Sequence, residues 1–483
     1  MLFTSDTFII FFAIVFVLYW FILNRNLRLQ NLFLLVAGYV FYGWWDWRFL
    51  FLLIFSSAND FLLGKKIYNA KNTKVRKRWL MVSLFVNLGL LGLFKYFNFF
   101  TDSFTSLASK IGISVNWPTL HIILPVGLSF YTFQSLTYTI DIYKKKMEPT
   151  KDILIFFTFV GFFPQMVAGP IERARLFLPQ FFLKRTFTYE MAKIGGRLIL
   201  IGFFKKIVIA DSLSILVNAV YNSPKSYTGF PTVVATIFFA FQIYCDFSGY
   251  SDIAIGTAKL LGFDLTTNFK MPYLSTSLTE FWHRWHISLS TWFRDYVYIP
   301  LGGNRTSNLK ANFNIFITFV LSGFWHGANW TFIIWGAIHG FVLIVEKMLT
   351  IKGQKNENTF NKLISTLLSF IIVCFAWIFF RSNSLSDAFI IITKMFSDVN
   401  EYSNFLNMSL KFRGMGLQIS DIFISLFFLC VLLTMELQYN NEKLRYALRS
   451  YRFLRWSVYY FLIISIVFSA TKNPAGNFIY FQF

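Results

Sequence analysis

The chain alternates between apolar runs of membrane-spanning length and short polar segments. Apolar runs include residues 7–23, 79–100, 312–349 and 454–471 in a chain of 483 residues. A bilayer core about 30 Å thick needs roughly 20 apolar residues per helix, and a chain at that depth must satisfy its own backbone hydrogen bonds. We therefore expect an all-α polytopic membrane protein with about 10–13 crossings, forming a single transmembrane domain over residues 1–483.

Two stretches are too polar for simple crossings. Lys205 and Lys206 interrupt the apolar run 195–221, and the stretch 248–300 is semi-polar throughout. Such sequence is tolerated at membrane depth where it is buried in protein or lines a cavity. The pattern therefore predicts re-entrant or interfacial helices among the crossings.

Composition and charge agree with this class. Charged residues make up 14% of the chain and aromatic residues 21%, against roughly 25% charged residues in soluble domains. The net charge of +22 does not indicate nucleic acid, because Lys and Arg concentrate in short loops, where they also meet anionic lipid. We expect the basic segments 64–79, 143–151 and 441–456 to be cytoplasmic and the less basic segment 401–415 to lie outside.

Cysteine usage and the first residues add little chemistry. Cys245, Cys374 and Cys430 are widely spaced in apolar sequence, which indicates neither a disulfide framework nor a zinc site. We expect all three to be small buried core residues. The first apolar run lacks a basic start and a small-residue cleavage site, so we expect a retained first span.

A histidine in an apolar, aromatic run is the first candidate for chemistry. His326 lies in LSGFWHGANWTFIIWGAIHG, between Gly323 and Gly327, which share one helical face. A neutral imidazole can take up and return a proton near neutral pH. The alternative is a histidine that hydrogen-bonds between helices as part of the packing, and position alone leaves the two open. For His339 we expect packing or an interfacial position.

A second polar cluster precedes it. Glu280, His283 and His286 are spaced by three, which places them along one helical face, and Arg294 and Asp295 follow. Carboxylate and imidazole ligands could bind a metal, but five histidines in the chain are too few for a ligand-rich cluster, so we expect no metal. An amphipathic interfacial helix anchored by tryptophans explains part of this pattern.

Two further polar groups lie in apolar sequence. Asp246 and Asp252 flank FSGYS, and their spacing does not place them on one helical face, so we expect them to form polar networks. Gln134 lies among hydroxyl side chains in 124–144, followed by Pro164 and Pro170. Broken helices beside polar side chains suit the wall of a cavity or tunnel.

Five runs containing these residues resemble the membrane-bound O-acyltransferase superfamily, and in particular its bacterial polysaccharide branch, which includes the membrane subunit of alginate O-acetylation. They are LPVGLSFYTFQSLTYTIDIYK, FPQMVAGPIERAR, FQIYCDFSGYSDIAIGTAKLLGF, EFWHRWHISLSTWFRDYVYIPLGGNR and GFWHGANWTFIIWGAIHG. The resemblance covers approximately residues 1–350, with the motif-bearing core at about 119–350 and variable helices at 361–483.

The resemblance implies a fold, an activity and two site residues. The fold would be a ring of helices around a central tunnel in the bacterial cytoplasmic membrane. The activity would be O-acyl transfer, usually of acetyl, to an extracytoplasmic cell-envelope polysaccharide. No cofactor would be bound, and the donor would be acetyl-CoA or another acyl thioester. His326 would be the essential histidine and His286 the second polar residue at the reaction centre.

The remaining polar residues and the alternatives follow from that hypothesis. We expect Glu280, His283, Arg294, Asp295, Asp246 and Gln134 to form a supporting polar network. The chain could acylate the polymer itself or relay the acyl group to an extracytoplasmic partner transferase. Other hypotheses are a transporter or flippase for a lipid-linked sugar, and D-alanyl transfer to teichoic acid.

Overall fold

The computed structural model describes residues 1–115, 123–167, 169–349, 358–397, 411–440, 450–472, 476 and 478–479. Every regular element in these residues is helical. The chain divides into two compact units. The first unit comprises Met1–Ile199 and Ile253–Thr267, and the second comprises Leu200–Asp252 and Asn268–Phe483.

The first unit is built from helices α1 to α9 and parts of α10 and α12. Their bounds are α1 (Asp6–Val17), α2 (Leu27–Gly43), α3 (Leu50–Asn69), α4 (Thr73–Leu91), α5 (Phe97–Lys110), α6 (Leu128–Tyr143), α7 (Ile153–Val160), α8 (Phe163–Met166), α9 (Ala174–Phe177), α10 (Tyr189–Phe203) and α12 (Phe230–Leu260).

The second unit contains the remaining parts of α10 and α12 and the rest of the helices. These are α11 (Asp211–Asn222), α13 (Leu278–Arg284), α14 (Ile287–Phe293), α15 (Asn308–His326), α16 (Trp330–Leu349), α17 (Thr359–Arg381), α18 (Leu385–Met395), α19 (Ile419–Asn440) and α20 (Arg452–Lys472).

Short segments of other helical types extend or connect these helices. The π-helical segments are Leu18–Ile22, Gly92–Tyr96, Phe204–Ala210 and Arg294–Tyr298, and the 3₁₀ segments are Trp47–Phe49, Leu178–Phe182 and Pro272–Leu274. Several α-helices begin where the sequence provides a capping side chain. Asn26, Asn72, Asp152 and Ser277 each accept a hydrogen bond from a backbone N–H in the first turn, which satisfies donors that have no partner within the helix.

A buried carboxylate holds three helices of the first unit together. Asp60 of α3 accepts hydrogen bonds from Ser83 Oγ at 2.7 Å and Asn87 Nδ2 at 2.8 Å, both on α4, and from Ser135 Oγ on α6. Polar side chains inside a helical bundle commonly connect neighbouring helices in this way. The polar residues in these apolar helices therefore support packing.

In the second unit, glycines let α15 and α16 pack closely as an antiparallel pair. A Cβ on Gly323 would lie 2.2 Å from the carbonyl oxygen of Phe332, and one on Gly336 would lie 2.3 Å from that of Phe319. Only glycine permits such close backbone approach. The small face of Gly323 is therefore occupied by the backbone of α16. This packing brings the last residue of α15, His326, against Trp335 of α16.

Seven helices in the described part of the chain are long and apolar enough to cross a membrane. They are Trp47–Asn69, Thr73–Lys110, Phe230–Leu260, Trp330–Leu349, Thr359–Arg381, Ile419–Gln438 and Arg452–Lys472. The chain is therefore an all-α, multi-pass membrane protein, as its hydropathy pattern predicts. The larger count of 10–13 crossings, the ring with its tunnel and the single domain over 1–483 stay predictions.

The burial expected for the three cysteines can be compared directly with the described residues. Cys245 and Cys374 are buried, but Cys430 is exposed, so the expectation of burial is wrong for it. Cys430 lies on the apolar helix Ile419–Gln438, and a small, weakly polar side chain is acceptable on a lipid-facing surface.

Of the segments assigned to membrane sides, 401–410 and 441–449 lie outside the described residues, as do residues 119–122 of the predicted core.

Candidate active site

His326 lies in an aromatic enclosure at the end of α15. Its side chain is buried, with 3% exposure. The centroid of its ring is 5.0 Å from that of Trp325, 5.2 Å from that of Trp335 and 5.4 Å from that of Phe380. These rings come from α15, α16 and α17, so three helices of the second unit determine the position of the imidazole.

His286 is held at the start of α14 by an unusual backbone conformation. It is fully buried, and its φ of 42° and ψ of 54° lie in the left-handed region, which is costly for a residue with a Cβ. The Asn268 carboxamide lies beside the ring, with 3.1 Å between Asn268 Oδ1 and His286 Nδ1. The backbone N–H of the adjacent Ile287 also donates to the backbone carbonyl oxygen of Asn268 at 2.9 Å. These contacts stabilise a strained turn, and the turn places the imidazole of His286 in the protein interior.

The fold brings these two histidines together although 40 residues separate them in sequence. Their ring centroids are 6.5 Å apart, with an interplanar angle of 58°. The ring nitrogens project outward from these centroids, and two hydrogen bonds of about 3 Å to one shared atom span up to about 6 Å, so a reacting group between the facing edges of the rings can contact both. Burial lowers the pKa of His286 to about 3, which keeps this imidazole neutral and able to accept a hydrogen bond. The pair has the geometry of a proton-transfer site.

His339, by contrast, has the surroundings of a packed side chain. It is fully buried, and its ring centroid lies 5.0 Å from those of both Trp282 and Trp335. Packing or an interfacial position was expected for this residue, and the aromatic contacts agree with packing. Trp335 contacts both His326 and His339, and the two histidines lie on different helices of the close pair α15 and α16.

A cavity of about 460 Å³ lies next to α14 and α15 in the second unit. His283, Arg294 and Lys347 contribute basic groups to its lining. Ser322 also lines it and precedes His326 by one turn of α15, a rise of about 6 Å along the helix. The cavity therefore extends from charged side chains to within one helical turn of His326.

The charged residues of the second cluster are held in local ion pairs. Glu280 accepts hydrogen bonds from Thr276 N–H at 2.7 Å and Thr276 Oγ1 at 3.0 Å, and it pairs with Arg284. Arg294 Nε donates to Asp295 Oδ1 at 2.9 Å. Glu280 thus stabilises the start of α13, where negative charge is favourable. Within the described residues no three His, Cys, Asp or Glu side chains form a metal-binding group.

Asp246 belongs to a different set of contacts. Lys206 Nζ lies 2.7 Å from Asp246 Oδ1 and 2.8 Å from Asp211 Oδ1, and Ile479 N–H donates to Asp246 Oδ2 at 2.7 Å. Asp252 pairs separately with Lys205 at 2.8 Å. The two adjacent lysines that interrupt 195–221 thus each neutralise an aspartate of α12, and Asp246 stabilises the fold of the second unit.

Gln134 lies in the first unit, on α6. Its side-chain amide nitrogen, Nε2, donates to the backbone carbonyl oxygen of Phe159 at 2.8 Å. This bond satisfies a backbone acceptor at the end of α7. Within the second unit, Asp246 and Glu280 are thus held in different local contacts, while His283 and Arg294 line the same cavity. The effect of the six supporting residues on activity stays a prediction.

The sequence pattern indicates neither Asn268 nor the aromatic enclosure. Asn268 lies in TTNFKMPYL, outside any helical pattern that would align it with His286. Trp335 and Phe380 stand in apolar runs, where aromatic residues are common. The excess of tryptophan near His326 was a signal of an enclosed ring, but no spacing indicated which tryptophan would contact it.

Comparisons with known proteins identify relatives of this chain. The membrane-bound O-acyltransferase family model matches residues 149–386. The probable alginate O-acetylase AlgI of Pseudomonas syringae pv. tomato is 39% identical over 92% of this chain and 84% of its own length. The peptidoglycan O-acetyltransferase of Helicobacter pylori is 36% identical over 80% of this chain and 78% of its own length. A teichoic acid D-alanyltransferase of Streptococcus thermophilus is 29% identical over 54% of this chain and 69% of its own length.

These relatives confirm the resemblance carried by the five sequence runs, and they favour acyl transfer over the transporter hypothesis. The family match contains both histidines of the buried pair, and it extends through Phe380 of the aromatic enclosure. From its sequence, its helical fold and these relatives, the chain belongs to the membrane-bound O-acyltransferase family and is an acyltransferase.

Proposed function

We propose that this protein transfers an acetyl group from a thioester on the cytoplasmic side toward a cell-envelope polysaccharide beyond the bacterial cytoplasmic membrane. The observation that carries the proposal is the buried pair of His286 and His326, whose ring centroids are 6.5 Å apart. A positioned imidazole is the usual general base for activating a hydroxyl near neutral pH. Two such rings at one point suit the activation and orientation of one hydroxyl group.

In the proposed reaction, His326 takes the proton from an acceptor hydroxyl while the hydroxyl oxygen attacks the thioester carbonyl carbon. A carbon–oxygen bond forms, the carbon–sulfur bond breaks, and His326 returns the proton to the departing thiolate. His286 orients the reacting groups or stabilises the developing charge. The aromatic side chains around His326, namely Trp325, Trp335 and Phe380, exclude water that would hydrolyse the thioester.

The 460 Å³ cavity supports entry of the donor from its basic end. Lys347 is exposed there, and the Arg294 side chain is 54% exposed. Cationic groups at the mouth of an apolar cavity raise the local concentration of a phosphate-bearing donor such as coenzyme A. The lining then leads to Ser322, one turn before His326.

Charge along the sequence supports the cytoplasmic assignment of that end. Arg305 and Lys310 lie near the start of α15, and Lys347, Lys352 and Lys355 lie at or after the end of α16. The start of α15 and the end of α16 lie at the end of the antiparallel pair that is away from His326. Both are therefore flanked by basic residues. Cytoplasmic loops carry such an excess of Lys and Arg.

The relatives support acetyl transfer to a polysaccharide. The two more similar relatives described above are named as O-acetyl-transferring proteins, for alginate and for peptidoglycan, and each covers at least 80% of this chain. The D-alanyltransferase matches 54% of it. The acetyl group reaches the polymer either directly or through an extracytoplasmic partner transferase.

The experiment uses purified protein in lipid nanodiscs with acetyl-CoA and envelope polysaccharide, following free thiol and acetylated polymer. Replacing His326 by Gln should lower turnover by about 10²- to 10⁴-fold, the usual contribution of a general base, and His286→Gln should also lower it. His339→Gln is the matched control, because His339 is equally buried but lies outside the pair. All variants are compared at equal amounts of folded protein.

Each alternative gives a different result. Near-normal turnover in His326→Gln contradicts the proposed role of the pair. Consumption of carrier-bound D-alanine without consumption of acetyl-CoA contradicts acetyl as the natural group. If this protein alone releases thiol but forms no acetylated polymer, and adding the partner transferase yields acetylated polymer, the acyl group is relayed. Acetylated polymer from this protein alone identifies direct transfer.

A further inference from the structure

The Asn268 carboxamide is a polar group that contacts the ring of His286. Asn268 is 1% exposed, and its Oδ1 lies 3.1 Å from His286 Nδ1. The same oxygen accepts hydrogen bonds from Ser288 N–H at 3.3 Å and from Ser288 Oγ at 3.0 Å. Three groups from the strained turn therefore meet at one oxygen atom.

The orientation of the Asn268 amide follows from its neighbours. The backbone N–H of Ser288 can only donate a hydrogen bond, so the group facing it must be the carbonyl oxygen of the amide. The Asn268 Nδ2 group accordingly donates to Ser251 Oγ on α12 at 3.2 Å. Exchanging the two ends of the amide would place its NH₂ group against the Ser288 N–H, leaving two donors facing each other.

The tautomer of His286 follows from that orientation. A carbonyl oxygen only accepts hydrogen bonds, so the nitrogen beside it, Nδ1, must carry the proton. In a neutral imidazole the other nitrogen, Nε2, then holds the lone pair. Nε2 can accept a hydrogen bond or a proton, whereas it cannot donate to a negatively charged oxygen.

We propose that Asn268 is a positioning residue that holds His286 in the Nδ1-protonated tautomer, so that Nε2 accepts a hydrogen bond from the hydroxyl to be acylated. The inference rests on the proposed function and narrows it. Of the two roles open to His286, orientation of the acceptor hydroxyl is retained and stabilisation of an oxyanion is not. His326 remains the general base, and the two imidazoles act on the same hydroxyl group.

The first test measures the tautomer without any reaction. The ¹⁵N spectrum of histidine-labelled protein in lipid distinguishes protonated from unprotonated ring nitrogens, and the difference from His286→Gln identifies the signals of His286. We expect a protonated Nδ1 and an unprotonated Nε2, with the Nε2-protonated tautomer increasing in Asn268→Ala. A protonated Nε2 in the unaltered protein, or an unchanged tautomer in Asn268→Ala, overturns the inference.

The second test links the tautomer to the rate of acetyl transfer. Asn268→Ala should lower kcat about 10- to 100-fold, the usual effect of removing a group that orients a histidine. Asn268→Asp should restore most of that loss, because a carboxylate oxygen still accepts from Nδ1–H. In a His286→Gln background, Asn268→Ala should have no further effect, since its action passes through the imidazole. A loss of equal size in both backgrounds shows a merely structural role.

Asn314→Ala is the control for loss of a buried amide. Asn314 donates to the carbonyl oxygens of Leu301 at 3.2 Å and Gly303 at 3.4 Å. Its removal should leave the His286 tautomer unchanged. If His286→Gln retains normal turnover while the tautomer is as inferred, the proposed catalytic pair fails and the assignment of the tautomer stands.

Discussion

At the scale of single residues, burial in this protein is accompanied by specific partners. Lys206 is 1% exposed and lies between Asp211 and Asp246, with distances of 2.8 and 2.7 Å. A buried ion pair adds little stability compared with apolar packing, but removal of one member leaves an uncompensated charge. The lysine that looked anomalous in an apolar run is therefore required by the two carboxylates beside it.

Lys206→Met should destabilise the protein by about 3–5 kcal/mol, because two buried carboxylates lose their counter-charge. Thermal unfolding in detergent measures the effect, and adding Asp246→Asn should recover part of it. Lys193→Met is the control: Lys193 pairs with the exposed Glu190 at 2.9 Å, and such surface pairs contribute about 1 kcal/mol or less. Equal destabilisation by the two lysine variants would contradict this account.

At the scale of elements, the closely packed pair α15 and α16 determines where His326 lies. Gly323 precedes His326 by three residues and faces the carbonyl oxygen of Phe332 on α16. Trp335, on the next turn of α16, contacts the His326 ring at 5.2 Å. The distance between the two helices and the enclosure of the imidazole therefore depend on the same small residues.

Gly323→Ala should separate the two helices, because its Cβ would lie 2.2 Å from the Phe332 carbonyl oxygen. We expect destabilisation by about 1–3 kcal/mol and a loss of turnover on the order of 10²-fold, since catalysis tolerates little displacement of a reacting group. Unfolding and acetyl-CoA consumption measure the two effects.

The matched variant is Gly89→Ala on α4, where a Cβ would meet nothing within 4 Å. It should be neutral or slightly stabilising, because alanine favours a helix over glycine. A Gly323→Ala protein with unaltered turnover would show that the close helix contact does not position His326.

At the scale of the whole molecule, the apolar surface and the excess of basic charge have separate roles. Large apolar side chains are strongly exposed, including Phe85 at 80% and Phe468 at 62%, as expected for helices that face lipid. The chain has 45 Lys and Arg against 23 Asp and Glu. Part of this excess lines the 460 Å³ cavity through Arg294 and Lys347, where it can attract an anionic donor.

Lys347→Gln should raise the KM for acetyl-CoA severalfold and leave kcat nearly unchanged, because the charge acts on donor capture and lies away from the histidine pair. The effect should diminish at high salt, which screens exposed charges. Lys472→Gln is the control, since Lys472 pairs with Asp421 at 2.7 Å outside the cavity. An unchanged KM, or a change confined to kcat, would contradict donor entry at this end.

Hydropathy and the family motifs were enough to predict the membrane class, the helical fold and the two histidines worth testing. Hydropathy and charge are properties of neighbouring residues, so apolar runs and basic loops can be recognised without a structure. The five runs contain four of the five histidines, and the family resemblance singled out His286 and His326 among them. Helical spacing, however, suggested a joint role for Glu280, His283 and His286, and the structure instead places Glu280 with Thr276 and Arg284.

Which side chains meet could be seen only in the packed helices. The 6.5 Å separation of His286 and His326, the Asn268 contact and the pairing of Lys206 with Asp246 join residues far apart in the chain. Such contacts depend on how helices pack and on where a loop such as the one containing Asn268 reaches, and no local pattern encodes these distances. The sequence thus identified the imidazoles, and the fold determined their partners and the tautomer inferred for His286.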